Sequence, residues 1–410
     1  MKRLCLYRSL AVCLLLVAAT SAGDSKSPAP RTFEFPDSGV AFDADFEGAR
    51  LNDCIQDSGT EYRAVIRPEN EPINDSAWYA FRVTAKAPQT ITVRLTYEGG
   101  KHRYHPKVST DGTTWQRLSG DRYQRGKDAV ALKIEVGPKP LWISAQEMIG
   151  LAELNAWTDK IARLPFVEES IIGRSIGDRP IRQLTIRSGQ PAYAVAIVGR
   201  QHPPEITGTM ALTAFVETVA GPSDLAKQYR RSFETLVVPL MNPDGVAAGN
   251  WRHNLGGVDL NRDWGPFRQP ETRAARDSIL RYQNEETPRL AFFLDFHSTG
   301  HDVFYVERSD EPVWPSRFSE RWLAALAEEM PDYEVRSEPS MGTRPLSKVW
   351  ARKTMSVPAV IYEVGDNTDR ALIRKVAQAA AETMMRLLLE EAEAAPSRPR
   401  EADRQPVLVP

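Results

Sequence analysis

The stretch GRQHPPEITGTMAL (199–212) sets His202 and Glu205 on either side of two prolines, Pro203 and Pro204. An imidazole and a carboxylate with this spacer reach one metal ion only if the backbone turns sharply between them. Proline presets such a turn and lowers the entropy lost in ordering it. The competing reading is a plain surface turn. Zinc accepts nitrogen and oxygen ligands, and a catalytic site takes three of them from protein and leaves a position for water. His297, at the end of the apolar run RLAFFLDFH (289–297), would complete two histidines and a glutamate. In an extended strand Asp295 lies on the same face as His297. A ligating histidine needs an acceptor for its other ring nitrogen, so Asp295 is a candidate partner. The alternative is a buried polar pair of purely structural use. His301 follows in HSTGH, but Thr299 and Gly300 disfavour a helical pair of histidines. No His-Glu-x-x-His motif occurs, which excludes a zincin.

The segment NPDGVAAGNWRHNLGGVDLNRDW (242–264) is rich in turn residues and in donors. Arg252, Asn261 and Arg262 suit an anion such as a carboxylate. Surface salt bridging is the alternative for any one of them, and His253 reads as a bystander beside Arg252. Glu363 stands in PAVIYEVG (358–365), which is otherwise apolar. A carboxylate there requires a partner or a proton-transfer role, and burial raises its pKa toward the range of a general base.

These residues need a scaffold. The runs 192–199, 233–241, 289–297 and 358–365 read as buried strands. Helical patterns cover 144–164, 206–219, 270–284, 316–330 and 370–391. Their alternation predicts an α/β domain over 144–391 with a mixed, mostly parallel central sheet flanked by helices. Ligands of such sheets bind beyond the carboxyl ends of the strands. His202, Glu205, His297 and Glu363 fall there, as do Asn242 and Asp244. Upstream, WYAFRVTA (78–85) and TITVRLTYEGG (90–100) alternate apolar and polar residues, STDGTTW (109–115) carries an Asp-Gly turn, and AVALKIEV (129–136) continues the period of two. No long helix is expected between 32 and 140. Residues 32–143 therefore read as a small antiparallel β-sandwich domain.

The chain of 410 residues, with 42% hydrophobic and 26% charged residues, fits a soluble protein of two domains. A net charge of −2 and the lack of a basic stripe argue against nucleic-acid binding. Residues 1–22 read as a signal peptide: a basic start, the apolar run 9–20, then small residues ending at Ala22. The run is too short to span a bilayer. The expectation is a secreted or periplasmic protein with no membrane span after signal removal. A membrane anchor is the alternative. Residues 23–31 read as a linker and 392–410 as a disordered tail. Cys5 and Cys13 fall inside the signal, which leaves Cys54 and no internal disulfide.

Taken together, His-x-x-Glu in RQHPPE, NPDG, an Arg before GVDLNRDW, a strand-end His in DFHS and a Glu in IYEVG follow the order of the zinc metallocarboxypeptidase (funnelin, carboxypeptidase-A-like) family. The sequence resembles that family over about 78–385. The short interval from Arg252 to Asn261 and a preceding β-domain are similar to its cytosolic-carboxypeptidase branch. The resemblance implies one zinc ion per chain on His202, Glu205 and His297, with Glu363 as general base and acid. It implies that Arg252 stabilises the oxyanion, that Asn261 and Arg262 hold the substrate's terminal carboxylate, and that Asp259 supports His202. The expected activity is hydrolysis of a C-terminal peptide bond. The rivals are an amidase on the same fold, acting on peptidoglycan peptides or other isopeptide and acyl-amide bonds, and an inactive binding protein. The β-domain is a candidate surface for protein binding or self-association. The stretch 334–361 lacks the mobile Tyr found in well-known members; Tyr333 and Tyr362 flank it. The usual specificity position falls near Lys348, with Arg344 close by. A basic pocket there would favour an acidic terminal residue, the alternative being that either side chain is solvated.

Overall fold

The computed structural model describes residues 32–126, 130–284, 286–307, 313–339 and 344–394. The expected signal peptide (1–22) and linker (23–31) lie outside the described residues, as does the tail beyond 394. The last helix, Arg370–Ala394, runs three residues into the expected tail.

The N-terminal unit is two sheets over one core. Thr32–Phe35, Val40–Asp43, Ala80–Ala85, Leu141–Ser144, Lys107–Ser109 and Gln116–Arg117 form one sheet. Asp53–Gln56, Glu61–Ile66, Gln89–Tyr97, Val130–Val136 and Tyr123–Arg125 form the other. The alternation does what the period of two requires: Val130, Leu132, Ile134 and Val136 are buried and the residues between them are not. The sandwich is not wholly antiparallel, because Glu61–Ile66 runs parallel to Gln89–Tyr97. Parallel neighbours need a crossover, and here the chain makes it through Ala80–Ala85 in the opposite sheet. Phe42, Phe81 and Val83 from the first sheet meet Tyr62, Val93 and Leu132 from the second. Two residues from farther along the chain, Ile206 and Trp251, complete this core.

The second unit carries the mixed sheet. Among the described residues its order is Val167–Arg174, Pro180–Ile186, Phe233–Val238, Tyr193–Gly199, Arg289–Thr299, Ala359–Gly365, Val303–Val306, Ser337–Pro339. The four central strands, from Phe233 to Gly365 in that order, are mutually parallel. Antiparallel pairs join the flanking strands to this centre. Central strands covered on both faces read as unbroken apolar runs, and the Tyr193 strand shows why. Val195 and Ile197 enter one core, with Phe215 and Met384 of the helices Ile206–Val219 and Arg370–Ala394. Ala194, Ala196 and Val198 enter the other, with Ile279, Trp264 and Trp350. Each fully buried valine, isoleucine, phenylalanine or methionine among them contributes roughly 1.5–3 kcal/mol, so the strands are held rigidly and their ends are fixed points.

The helix Ile206–Val219 lies hard against one of those ends. A Cβ at Gly208 would sit 2.3 Å from the His297 carbonyl oxygen. Only glycine lets the helix approach there, and its N–H donates to Ser298 Oγ at 2.8 Å.

Candidate active site

The site grows from the carboxyl end of the Tyr193 strand. Arg200 takes a left-handed backbone, φ 54°, and turns the chain out of the sheet. Its buried guanidinium grips the turn that follows, with Nε donating to Pro203 O at 2.8 Å and one Nη to Thr209 Oγ1 at 3.0 Å. The Glu205 N–H closes the turn on His202 O at 3.3 Å, and Glu205 is the N-cap of the helix Ile206–Val219. His202 and Glu205 are thus set by two prolines, one arginine and a helix start.

The ligand candidates converge. His202 Nδ1 lies 2.7 Å from Glu205 Oε1, and His297 Nδ1 lies 2.8 Å from Glu205 Oε2. The two Nδ1 atoms are 3.2 Å apart. All three side chains are buried. The outer ring nitrogens are held by carboxylates: His202 Nε2 by Asp259 Oδ1 at 2.9 Å, and His297 Nε2 by Asp295 Oδ2 at 2.9 Å. A ring that donates its Nε2 proton outward presents a lone pair on Nδ1. Three acceptors then face one another among buried side chains, an arrangement that calls for a cation. Burial would lower the pKa of His297, yet Asp295 and Glu205 push it well up. Burial would raise that of Glu205, yet His202 and His297 hold it far below the usual carboxylate range. One ligand atom from each of the three side chains lies within 4.8 Å of the others, near enough for all three to hold one ion. Two imidazoles, one carboxylate and two outer carboxylates fit zinc.

Asp259 and Asp295 each have further work. Asp259 Oδ2 also receives Arg252 Nε at 2.6 Å, and Arg262 stands 3.8 Å away. Burial would raise the Asp259 pKa, and the charges of His202, Arg252 and Arg262 hold it far down. Asp295 Oδ2 also accepts from Gln201 Nε2 at 2.6 Å and from the Ser347 hydroxyl. Asp259→Asn is expected to weaken zinc affinity roughly 10–100-fold, read by competition with a chelator. Undiminished affinity would remove Asp259 from the support of His202.

Glu363 faces this cluster from the neighbouring strand, where it sits in register with His297. It is half-buried, and its Oε2 has no hydrogen-bond partner among the described residues. Burial pushes its carboxyl up to about 7, against the pull of His297. Arg262 donates to its own neighbour, the Asn261 carbonyl, at 2.8 Å, and feels the charges of both Arg344 and Glu363. Asn261 Oδ1 accepts from Ser347 N–H at 2.9 Å and its Nδ2 lies 3.2 Å from His297 Nε2.

Lys348 is placed differently. Its ammonium is buried, donates to Val306 O at 2.9 Å and sits beside the Glu307 carboxyl. Asn242 caps the helix Pro243–Ala247 and ties it to Gln201 O, while Asp244 binds Gly177 N–H and Arg179. His253 bonds Asn70 of the N-terminal unit. Sequence reasoning missed Arg200, Gln201 and Ser347. Each is a neighbour in the chain of a residue already singled out or of its partner, which is the signal that would have found them.

Comparison with known proteins bears on the family and the fold. Residues 154–384 match the family model described as zinc carboxypeptidase, and 42–141 match that of the cytosolic carboxypeptidase N-terminal domain. Mouse cytosolic carboxypeptidase 6 is 26% identical over 286 residues, covering 63% of this chain and 53% of its own length. Bovine cytosolic carboxypeptidase 3 is 24% identical over 319 residues, covering 69% of this chain and 32% of its own. The chain thus spans about half, or less, of the length of these relatives. In fold it is similar to a metallo-carboxypeptidase from Burkholderia cenocepacia, with TM-score 0.72 and 19% identity over 87% of this chain and 99% of that one. It is likewise similar to a metallo-carboxypeptidase from Pseudomonas aeruginosa, with TM-score 0.70 and 22% identity over 86% and 99%. One expectation fails against these findings. A secreted or periplasmic location rests on residues 1–22 alone, whereas the relatives are named cytosolic carboxypeptidases and the N-terminal unit matches the domain of that group. No helix among the described residues is long and apolar enough to cross a membrane.

Proposed function

Because the chain belongs to the zinc carboxypeptidase family, as the match over 154–384 shows, we propose that it removes single residues from the C-terminus of a peptide or peptide-like substrate with a free carboxylate. The observation that supports this most is the meeting of two imidazole Nδ1 atoms and the Glu205 carboxylate beside the unpartnered Glu363 Oε2. Zinc held by His202, Glu205 and His297 would supply Lewis acidity and bring the pKa of water to around 7. Glu363 takes the proton from the attacking water and hands it to the leaving amine, a role that suits a carboxyl lifted to about 7. Arg252 faces the charge that grows on the carbonyl oxygen. Anchoring its Nε on Asp259 fixes the plane of its guanidinium. Arg262, a third exposed in its side chain, and Asn261 receive the terminal carboxylate. His297 Nε2 directs its proton to Asp295, so the Asn261 amide hydrogens are not consumed by that ring.

The substrate requirement is directly testable. Peptides with a free C-terminus are expected to lose single terminal residues, and the same peptides amidated at that end to be cleaved at least about tenfold more slowly, since an unpaired Arg262 is costly. Mass spectrometry of the products decides. Equal cleavage of both forms, or cleavage of muropeptides alone, would sink the carboxypeptidase reading.

A further inference from the structure

Resting on the function proposed above, we infer that Glu69 of the N-terminal unit is a positioning residue for Arg252, so that the β-sandwich is a working part of the active site. Glu69 reaches across the seam between the units and accepts three consecutive backbone N–H groups. Its Oε2 takes Trp251 N–H at 2.7 Å, and its Oε1 takes Arg252 N–H at 2.9 Å and His253 N–H at 2.7 Å. Successive amides that point into one concavity form an anion-binding nest, and bonds to an ionised acceptor are about twice as strong as neutral ones. Arg252 is the middle residue of the three.

The same unit grips the other side of this loop with the opposite charge. Arg50 is buried, donates from Nε to Gly249 O and from Nη2 to Asn250 Oδ1 at 2.8 Å. The loop 248–253 is therefore held by its carbonyls on an arginine and by its amides on a glutamate, both from the sandwich. Three further contacts fix its depth. Trp251 fills the sandwich core and donates Nε1–H to Trp78 O at 3.0 Å. Asn70 Oδ1 lies 2.8 Å from His253 Nδ1. Gly249, at φ 62°, packs so close that a Cβ there would meet Ala49 O at 2.6 Å.

The position of this loop reaches the metal cluster by two bonds. Arg252 Nε rests on Asp259 Oδ2, and Asp259 Oδ1 holds His202 Nε2. A loop that drifted would move the guanidinium away from the developing oxyanion and leave the zinc ligands in place, since Asp259 keeps His202. A small shift at a preorganised charge weakens transition-state stabilisation more than ground-state binding.

Glu69→Gln puts an NH₂ group against one of the three N–H donors and removes the charge. In the zinc-loaded full chain, kcat for C-terminal release is expected to fall about 10–100-fold, with KM within about twofold and zinc content unchanged. Amide exchange at 251–253 should accelerate while that of the Tyr193 strand stays put. Placed on Arg252→Ala, Glu69→Gln should cost nothing more, because the two residues act as one unit. The inference is overturned if Glu69→Gln leaves kcat intact, if it lowers kcat by the same factor with and without Arg252, or if exchange at 251–253 does not change. A wild-type chain that exchanges as expected at this loop but releases no C-terminal residue would overturn the proposed function while upholding the hold of Glu69 on the loop, since protection does not depend on turnover.

Discussion

Glu363→Gln is expected to lower kcat for release of a C-terminal residue by about 10²–10⁴-fold, the usual worth of general acid–base catalysis, with zinc still bound. The replacement has nearly the same shape, and Oε2 forms no bond that an amide would break. What it removes is the capacity to take and return a proton. Burial lifts the wild-type carboxyl to about 7, so both of its forms are populated near neutrality and it can serve in either direction of transfer. An amide serves in neither. Stability should not fall, because a group whose charge is costly to bury gives way to a neutral one. The measurements are single-turnover kinetics, zinc content and thermal unfolding of both forms. A variant that keeps wild-type turnover would end the case for Glu363 as the base, and one that lost zinc as well would make it a ligand.

His202→Ala is expected to abolish stoichiometric zinc binding and, with it, all turnover. Two of the bonds in the cluster end on this ring: Nδ1 toward Glu205 and Nε2 toward Asp259. Its removal takes away one of three donors and leaves Asp259, whose charge its surroundings hold ionised, short of a partner in a buried place. A resident ion that binds only the folded chain adds stability by mass action, about 2.7 kcal/mol when free zinc is a hundred times its dissociation constant. Wild-type protein should therefore melt several degrees higher with zinc than after chelation, and His202→Ala should melt at one temperature with or without it. Retention of full zinc by the variant, read by mass spectrometry, would refute the ligand assignment.

Much of this site was legible because its candidate ligands sit at the ends of buried strands and on a helix start. The helix expected over 206–219 is Ile206–Val219, and the strand expected over 358–365 is Ala359–Gly365; both have strong apolar signals. The strand expected over 233–241 stops at Val238, since Pro239 follows and cannot donate to a ladder. The helix expected from 144 begins at Leu151, because Ile143 and Ser144 are still paired with Phe81 and Ala80. Val167–Arg174 was hidden by its exposed charges at the edge of the sheet, and the helices Asp224–Ser232 and Ser347–Met355 by their polar composition. Glu69 had no signal at all. Its partners are 182 to 184 residues away and are backbone amides, which leave no trace in side-chain type.

The pairing of His297 with Glu363 across two parallel strands bears on how such a chain tolerates insertions and deletions. The separation of the proposed ligand and the proposed base is set by the distance between hydrogen-bonded strands, about 4.8 Å, and not by any loop. One residue gained or lost ahead of Glu363 within Ala359–Gly365 would turn it to the opposite face of the sheet, into the apolar layer that Val360 and Tyr362 now fill. Changes of length are therefore barred from these two short stretches of strand, whatever residues they contain, as they are from the turn 200–205 and the loop 248–253 that Arg200 and Glu69 hold in place.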